Sequence, residues 1–142
     1  MKVSAKAEYA CLAMLELAAS HGAPQPLRVK IIADAHGIPL RFLVQILLQL
    51  KGAGLVASTR GAAGGYQLTR PPDKISLADV VNVIDRASPP RSEAAGLPSP
   101  AFRAIRSVWK EIQAEQQRML EEVTFADLVR QTQQTGELSY QI

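Results

Sequence analysis

From Val3 to Ala19 the apolar residues Val3, Ala7, Ala10, Cys11, Met14, Leu17 and Ala18 return every three or four positions, the spacing of one stripe along an α-helix. His21-Gly22 and the Pro24/Pro26 pair end it. Cys11 falls on that stripe and reads as a buried small hydrophobe rather than a reactive thiol. A second, short helix follows from Arg28 to His36 with Val29, Ile32 and Ala33 inward, and Gly37 is its natural stop. Ile38-Pro39 opens a third helix, which runs to Lys51 with Leu40, Leu43, Ile46, Leu47 and Leu50 on one face. Two short helices joined by a tight glycine turn after a longer one make a helix-turn-helix pattern.

The pattern then changes period. Leu55–Thr59 and Tyr66–Thr69 are short strand-like runs that bracket Arg60-Gly61-Ala62-Ala63-Gly64-Gly65, which predicts a β-hairpin with a glycine-rich tip. A helix-turn-helix followed by a hairpin is a winged helix. The loop does not read as a nucleotide-phosphate cradle, because no Gly-Lys-Ser/Thr follows it and no helix starts at its end. Beyond Pro71-Pro72, Ser76 with Asp79 three residues on resembles a capping box, and it opens a helix over Leu77–Arg86 with Val80, Val81 and Ile84 inward. Residues 87–100 hold four prolines and read as a loop. Ser99-Pro100 starts a long helix to Val123, with Phe102, Ile105, Trp109, Ile112, Met119 and Val123 stepping by three and four, and Gln116 interrupting the seam. A rod of about 36 Å is too long to be covered by a domain of this size, so its seam fits the same helix of a second subunit. Thr124 caps a last helix, Phe125 to Gln134, and the tail beyond Gly136 is expected to fray.

The fold class expected is therefore mainly α with a small β-hairpin wing. Residues 1–75 form the winged helix-turn-helix, and residues 76–142 form a dimerisation and effector region integrated with it. A chain of 142 residues, 47% hydrophobic and 20% charged, fits one globular core. No apolar run reaches the length of a membrane span, and one cysteine leaves no internal disulfide and no multi-thiol metal site. Together these place the chain in the cytoplasm with no membrane partner. Charge sharpens the division: residues 1–75 carry nine Lys/Arg against four Asp/Glu, whereas residues 76–142 carry seven against nine. A basic half beside a mildly acidic one suggests that one end meets a polyanion.

Lys6-Ala7-Glu8-Tyr9-Ala10, the turn Gly37-Ile38-Pro39, the helix Leu40–Leu47, the phrase Leu50–Val56 and the wing Arg60–Tyr66 together resemble the Rrf-two family of bacterial transcription regulators. The likeness extends over nearly the whole chain. It implies a homodimer on double-stranded DNA, with a recognition helix of each subunit in a major groove and a wing in the adjacent minor groove. The residues suit those roles. Pro39, Leu40, Arg41, Phe42 and Gln45 stand at the start of the recognition helix, where an arginine can fork onto guanine and a glutamine onto adenine. Arg60 suits the negative potential of a narrow minor groove, Thr59, Gly61 and Gly64 are DNA-contact candidates beside it, and Tyr66 braces the hairpin or reaches a phosphate with its hydroxyl. Lys6 and Lys51 are candidates for phosphates, and Arg28 and Lys30 are further DNA-binding candidates. Val44 stands where some relatives carry a glutamate that discriminates among bases, so their operators do not transfer.

The sensing half departs from the pattern. Cluster-bearing relatives place three cysteines between the fourth helix and the long one, whereas residues 87–100 contain none. Iron–sulfur clusters need thiolate ligands, so no cofactor or metal is expected, and Glu8 has no site to complete. Regulation would then fall to an unknown small-molecule or protein effector acting on the dimer. Two other classes compete. A winged helix can be a protein-interaction module without DNA contact, but Arg41, Lys51 and Arg60 favour DNA. An enzyme is disfavoured, since no nucleophile–base order, no His-Glu-x-x-His and no paired-carboxylate loop is present.

Overall fold

The structure, a computed structural model, describes residues 3–85 and 99–141. Of the proline-rich loop expected at 87–100, residues 87–98 lie outside the described residues, and Pro100 is the first residue of a helix. Helix α1 (Ala5–Ala19) begins after Ser4, whose hydroxyl accepts from the Ala7 amide at 3.0 Å. The same hydroxyl donates to Asp85 Oδ1 at 2.5 Å, and the Ser4 amide donates to Oδ2 at 3.1 Å. Asp85 therefore ties the start of α1 to the end of α4 (Leu77–Ile84). This corrects two expectations. Val3 precedes the helix and is exposed, and the fourth helix stops short of Arg86, because the chain turns at Asp85 to make those bonds.

Helices α2 (Val29–His36) and α3 (Leu40–Gly52) meet at Gly37, which takes a left-handed φ of 63° that a side chain would resist. The Ile38 amide returns to the Ala33 carbonyl at 3.0 Å and closes the turn. Strands β1 (Val56–Thr59) and β2 (Gly65–Leu68) pair antiparallel in the register Val56↔Leu68 through Thr59↔Gly65. A short 3-10 turn, Pro72–Lys74, leads to α4, and both bonds of the Ser76/Asp79 capping box form.

Helix α5 (Pro100–Glu122) and helix α6 (Phe125–Gln141) share a junction that repeats this device. The Thr124 amide donates to Asp127 Oδ2 at 3.0 Å, and the Asp127 amide donates back to Thr124 Oγ1 at 3.1 Å. These bonds hold the Asp127 carboxyl below the usual carboxylate range. The junction is stitched to the preceding one: the Leu77 amide donates to Val123 O at 2.9 Å, and the Phe125 amide donates to Ile75 O at 3.0 Å. Helix α6 runs on to Gln141, past the expected stop at Gln134.

One core runs from α1 to α6. Met14, Leu17, Ile32, Leu43, Ile46, Leu47, Leu50, Ile75, Val80 and Phe125 are buried in it, and α1 packs against α3, α4 and α6. Three residues expected inside, Cys11, Val29 and Ile84, are half-buried and pack against its edge. Leu40 is exposed, since the first turn of α3 projects past the core.

Candidate nucleic-acid interface

Helix α3 presents two contrasting faces. Leu43, Ile46, Leu47 and Leu50 point into the core, so the side chains about half a turn away face outward: Arg41, Val44, Gln45 and Leu48. Arg41 and Gln45, both expected to read bases, thus lie one turn apart on the outer face. Phe42 is also exposed, and the Arg41 guanidinium lies 5.3 Å from its ring centre. Such a cation–π contact is worth about 0.5–1 kcal/mol at an exposed site and restrains where the arginine head rests. Pro39 and Leu40 stand exposed at the helix start.

The wing is fastened from an unexpected side. Leu27 and Tyr66 exchange backbone hydrogen bonds of 2.9 and 2.8 Å, adding a third backbone segment beside β2. Gly65 permits this approach, since a Cβ there would lie 2.3 Å from the Leu27 carbonyl oxygen. Gly64 is buried under the tip, and its Cβ would lie 2.2 Å from the Thr59 oxygen. Arg28 donates to the Ala62 carbonyl, bridging the start of α2 to the wing tip. Arg28, Thr59, Arg60, Gly61, Gly64 and Tyr66 come together around one concavity of about 530 Å³. Tyr66 is half-buried against the core, and Arg60 stands exposed at the rim.

The other candidates are more scattered. Lys6, Lys30 and Lys51 are exposed on α1, α2 and α3. From residue 35 to residue 72 the chain carries no carboxylate but four cations, Arg41, Lys51, Arg60 and Arg70, all exposed. The segment that forms the recognition helix and the wing therefore carries formal charge of one sign, suited to a polyanion.

On α5 the expected seam divides. Ile105, Trp109, Ile112 and Met119 are exposed, whereas Phe102, Gln116 and Val123 are half-buried on their own subunit. Val123 lies beyond the helical turns, and its carbonyl is taken by Leu77. Val108, missed in the seam read from the sequence, is exposed between Ile105 and Ile112. Leu48 was missed on α3 in the same way. In each case the available signal was an apolar residue out of phase with the buried stripe.

Comparison with known proteins decides the family. A family profile described as "Rrf2: Iron-dependent Transcriptional regulator" matches residues 3–131. The chain belongs to the Rrf2 family. A Mycobacterium tuberculosis relative, named among the HTH-type transcriptional regulators, is 43% identical over 131 residues, covering 90% of this chain and 81% of the relative. The HTH-type transcriptional regulator CymR of Bacillus subtilis is 36% identical over 93% of this chain and 92% of its own. The solved CymR structure matches with a TM-score of 0.78 at 34% identity, covering 92% of this chain and 97% of that one. The structure of T. potens IscR matches with a TM-score of 0.77 at 32% identity, covering 93% and 88%. The winged-helix architecture expected from the sequence is the one observed, with six helices and a two-stranded hairpin among the described residues.

The donor set of this Rrf2 protein does not fit an iron–sulfur cluster. Cys11 is the sole thiol in the chain. Burial, and then the nearby charges of Asp85 and Glu8, push it up to about 11, so it is held as the poorly ligating thiol. The thiolate fraction falls tenfold per unit. Iodoacetamide at pH 8 is therefore expected to modify Cys11 about 100-fold more slowly in the folded protein than in urea. Equal rates, followed by mass spectrometry, would contradict that environment.

Proposed function

We propose that this Rrf2 protein is a sequence-specific DNA-binding transcriptional regulator, a repressor, that acts as a homodimer on a two-fold related operator. The observation that carries the reading is the carboxylate-free stretch 35–72, in which α3 turns Arg41 and Gln45 outward and the wing exposes Arg60 at a concavity. Arg41 and Gln45 read base edges, and Arg60 enters the minor groove. Arg28 holds the wing tip through Ala62 and so acts on DNA through the wing. Lys6, Lys30 and Lys51 meet phosphates. Residues 1–75 do the binding. Residues 76–142 pair the subunits through the outward face of α5 and receive a small-molecule or protein effector, with no cofactor and no catalysis. Among the described residues no helix is long and apolar enough to cross a membrane. We place the protein in the cytoplasm with the DNA it regulates.

Binding-site selection from random duplexes, run in parallel with wild type and Arg41→Ala, tests this. The wild type is expected to enrich a two-fold symmetric sequence. Arg41→Ala is expected to lose preference at one position per half-site and to bind more weakly by on the order of 1–3 kcal/mol at each. No enrichment above the input library would overturn the proposed function. The same preferred sequence from both proteins would move Arg41 to the backbone.

A further inference from the structure

The outward face of α3 is unusually apolar for a surface meant for a polyanion. Leu40, Phe42, Val44 and Leu48 are 51, 45, 38 and 55% exposed on a helix of 13 residues. A single exposed leucine needs no explanation, but four such side chains on one short helix form a patch. Two of them are interleaved with the polar readers. Arg41, Val44, Gln45 and Leu48 follow one another at i, i+3, i+4 and i+7, and form one row opposite the buried stripe. That row is about 10 Å long at 1.5 Å per residue, which matches three base-pair steps of about 3.4 Å.

A row that alternates a forked donor, an aliphatic group, an amide and a second aliphatic group has a natural complement in a major groove. The groove edge of a base pair offers hydrogen-bonding atoms and, on thymine or a C5-methylated cytosine, one apolar feature: the methyl at C5. The surroundings select nucleic acid as the occupant, since the 35–72 stretch bears cations and no carboxylate. Resting on the DNA-binding reading above, we propose that Val44 and Leu48 are specificity-determining residues that pack on C5-methyl groups of pyrimidines beside the bases read by Arg41 and Gln45. The operator half-site then holds a methyl-bearing pyrimidine at the steps facing these two side chains. Burying a methyl against an aliphatic side chain, rather than hydrogen bonding, supplies the discrimination there.

The test uses the full-length protein and the duplex it enriches from a random library. Each thymine of the half-site is replaced in turn by deoxyuridine, which removes the methyl and keeps every hydrogen-bonding atom. Wild type is expected to lose about fourfold in affinity for each contacted methyl in each half-site, the ratio that corresponds to about 0.8 kcal/mol for a buried carbon group. Val44→Ser or Leu48→Ser, at exposed positions away from the core stripe, is expected to bind the matching thymine and deoxyuridine duplexes equally. In a second arm the contacted pair is changed to cytosine–guanine, with and without a methyl at cytosine C5. Recovery on 5-methylcytosine shows that the face reads the methyl on either pyrimidine. No recovery, alongside a deoxyuridine loss, restricts it to thymine. Both results support the proposal. Wild type indifferent to every deoxyuridine would overturn it. A deoxyuridine loss that persists unchanged in both serine variants would overturn it in favour of DNA shape. A library that yields no enriched sequence would overturn this proposal and the function it rests on together.

Discussion

Replacing Ile105 and Ile112 together with glutamate is expected to convert a stable dimer into a monomer that keeps its fold. Both side chains are exposed on the single subunit, at 57 and 49%, so the charges need not disturb the core. Within a dimer the same positions, with Val108 between them and Met119 two turns beyond, face an apolar partner helix, where unpaired carboxylates are strongly unfavourable. The consequence for DNA is larger than the loss of the helix contact itself. A dimer engages its second half-site as an intramolecular step, so a monomer is expected to bind the full operator on the order of 10²–10⁴-fold more weakly. Sedimentation and titration of the two proteins at micromolar concentration check both parts. A wild type that sediments as a monomer would contradict the seam.

The second large effect is on stability. Phe125 is fully buried and is the largest side chain buried in the core. It stands at the α5–α6 junction, directly after the capping Thr124 and tied by its own amide to Ile75. Phe125→Ala removes the ring that joins α6 to the core shared by α1 and α4, and is expected to cost about 3–5 kcal/mol. At 2–4 °C per kcal/mol, that lowers Tm by roughly 10 °C or more. Thermal unfolding followed by circular dichroism measures it. A shift of only a degree or two would show that the site collapses around the cavity, or that α6 is not part of the cooperative unit.

Much of this architecture is legible in the sequence because it is local. Gly37 between two apolar periodicities, the Ser76/Asp79 pair, Ser99-Pro100 and Thr124 each mark a helix end through chemistry within four residues. The wing is legible for the same reason, since its glycines stand between two strand-like runs. What could not be read depends on partners far along the chain. Arg28 looks like a free cation until the fold brings Ala62 to it from 34 residues away. The start of α1 is set by Asp85, which lies 81 residues from Ser4.

Phase errors have a different origin. Apolar identity and spacing alone put Leu40 in the core and Phe102 and Val123 on the free seam, whereas burial follows which side of a helix the rest of the chain covers. On α5 that side includes Phe102 and Gln116, so the free stripe shifts to Ile105, Val108 and Ile112. On α3 the same rule leaves Val44 and Leu48 outside, next to the two polar residues that the sequence does single out.

The central claim is that two copies of this chain set two recognition helices on one face of a duplex. Hydroxyl-radical footprinting of the full-length protein on its selected duplex tests it most directly. The expected result is two protected clusters related by a two-fold axis, with centres about 10 base pairs or a whole multiple of that apart, each extending into a flanking minor groove where the wing lies. A single unpaired cluster, or protection spread evenly along the duplex at every salt concentration, would contradict the account.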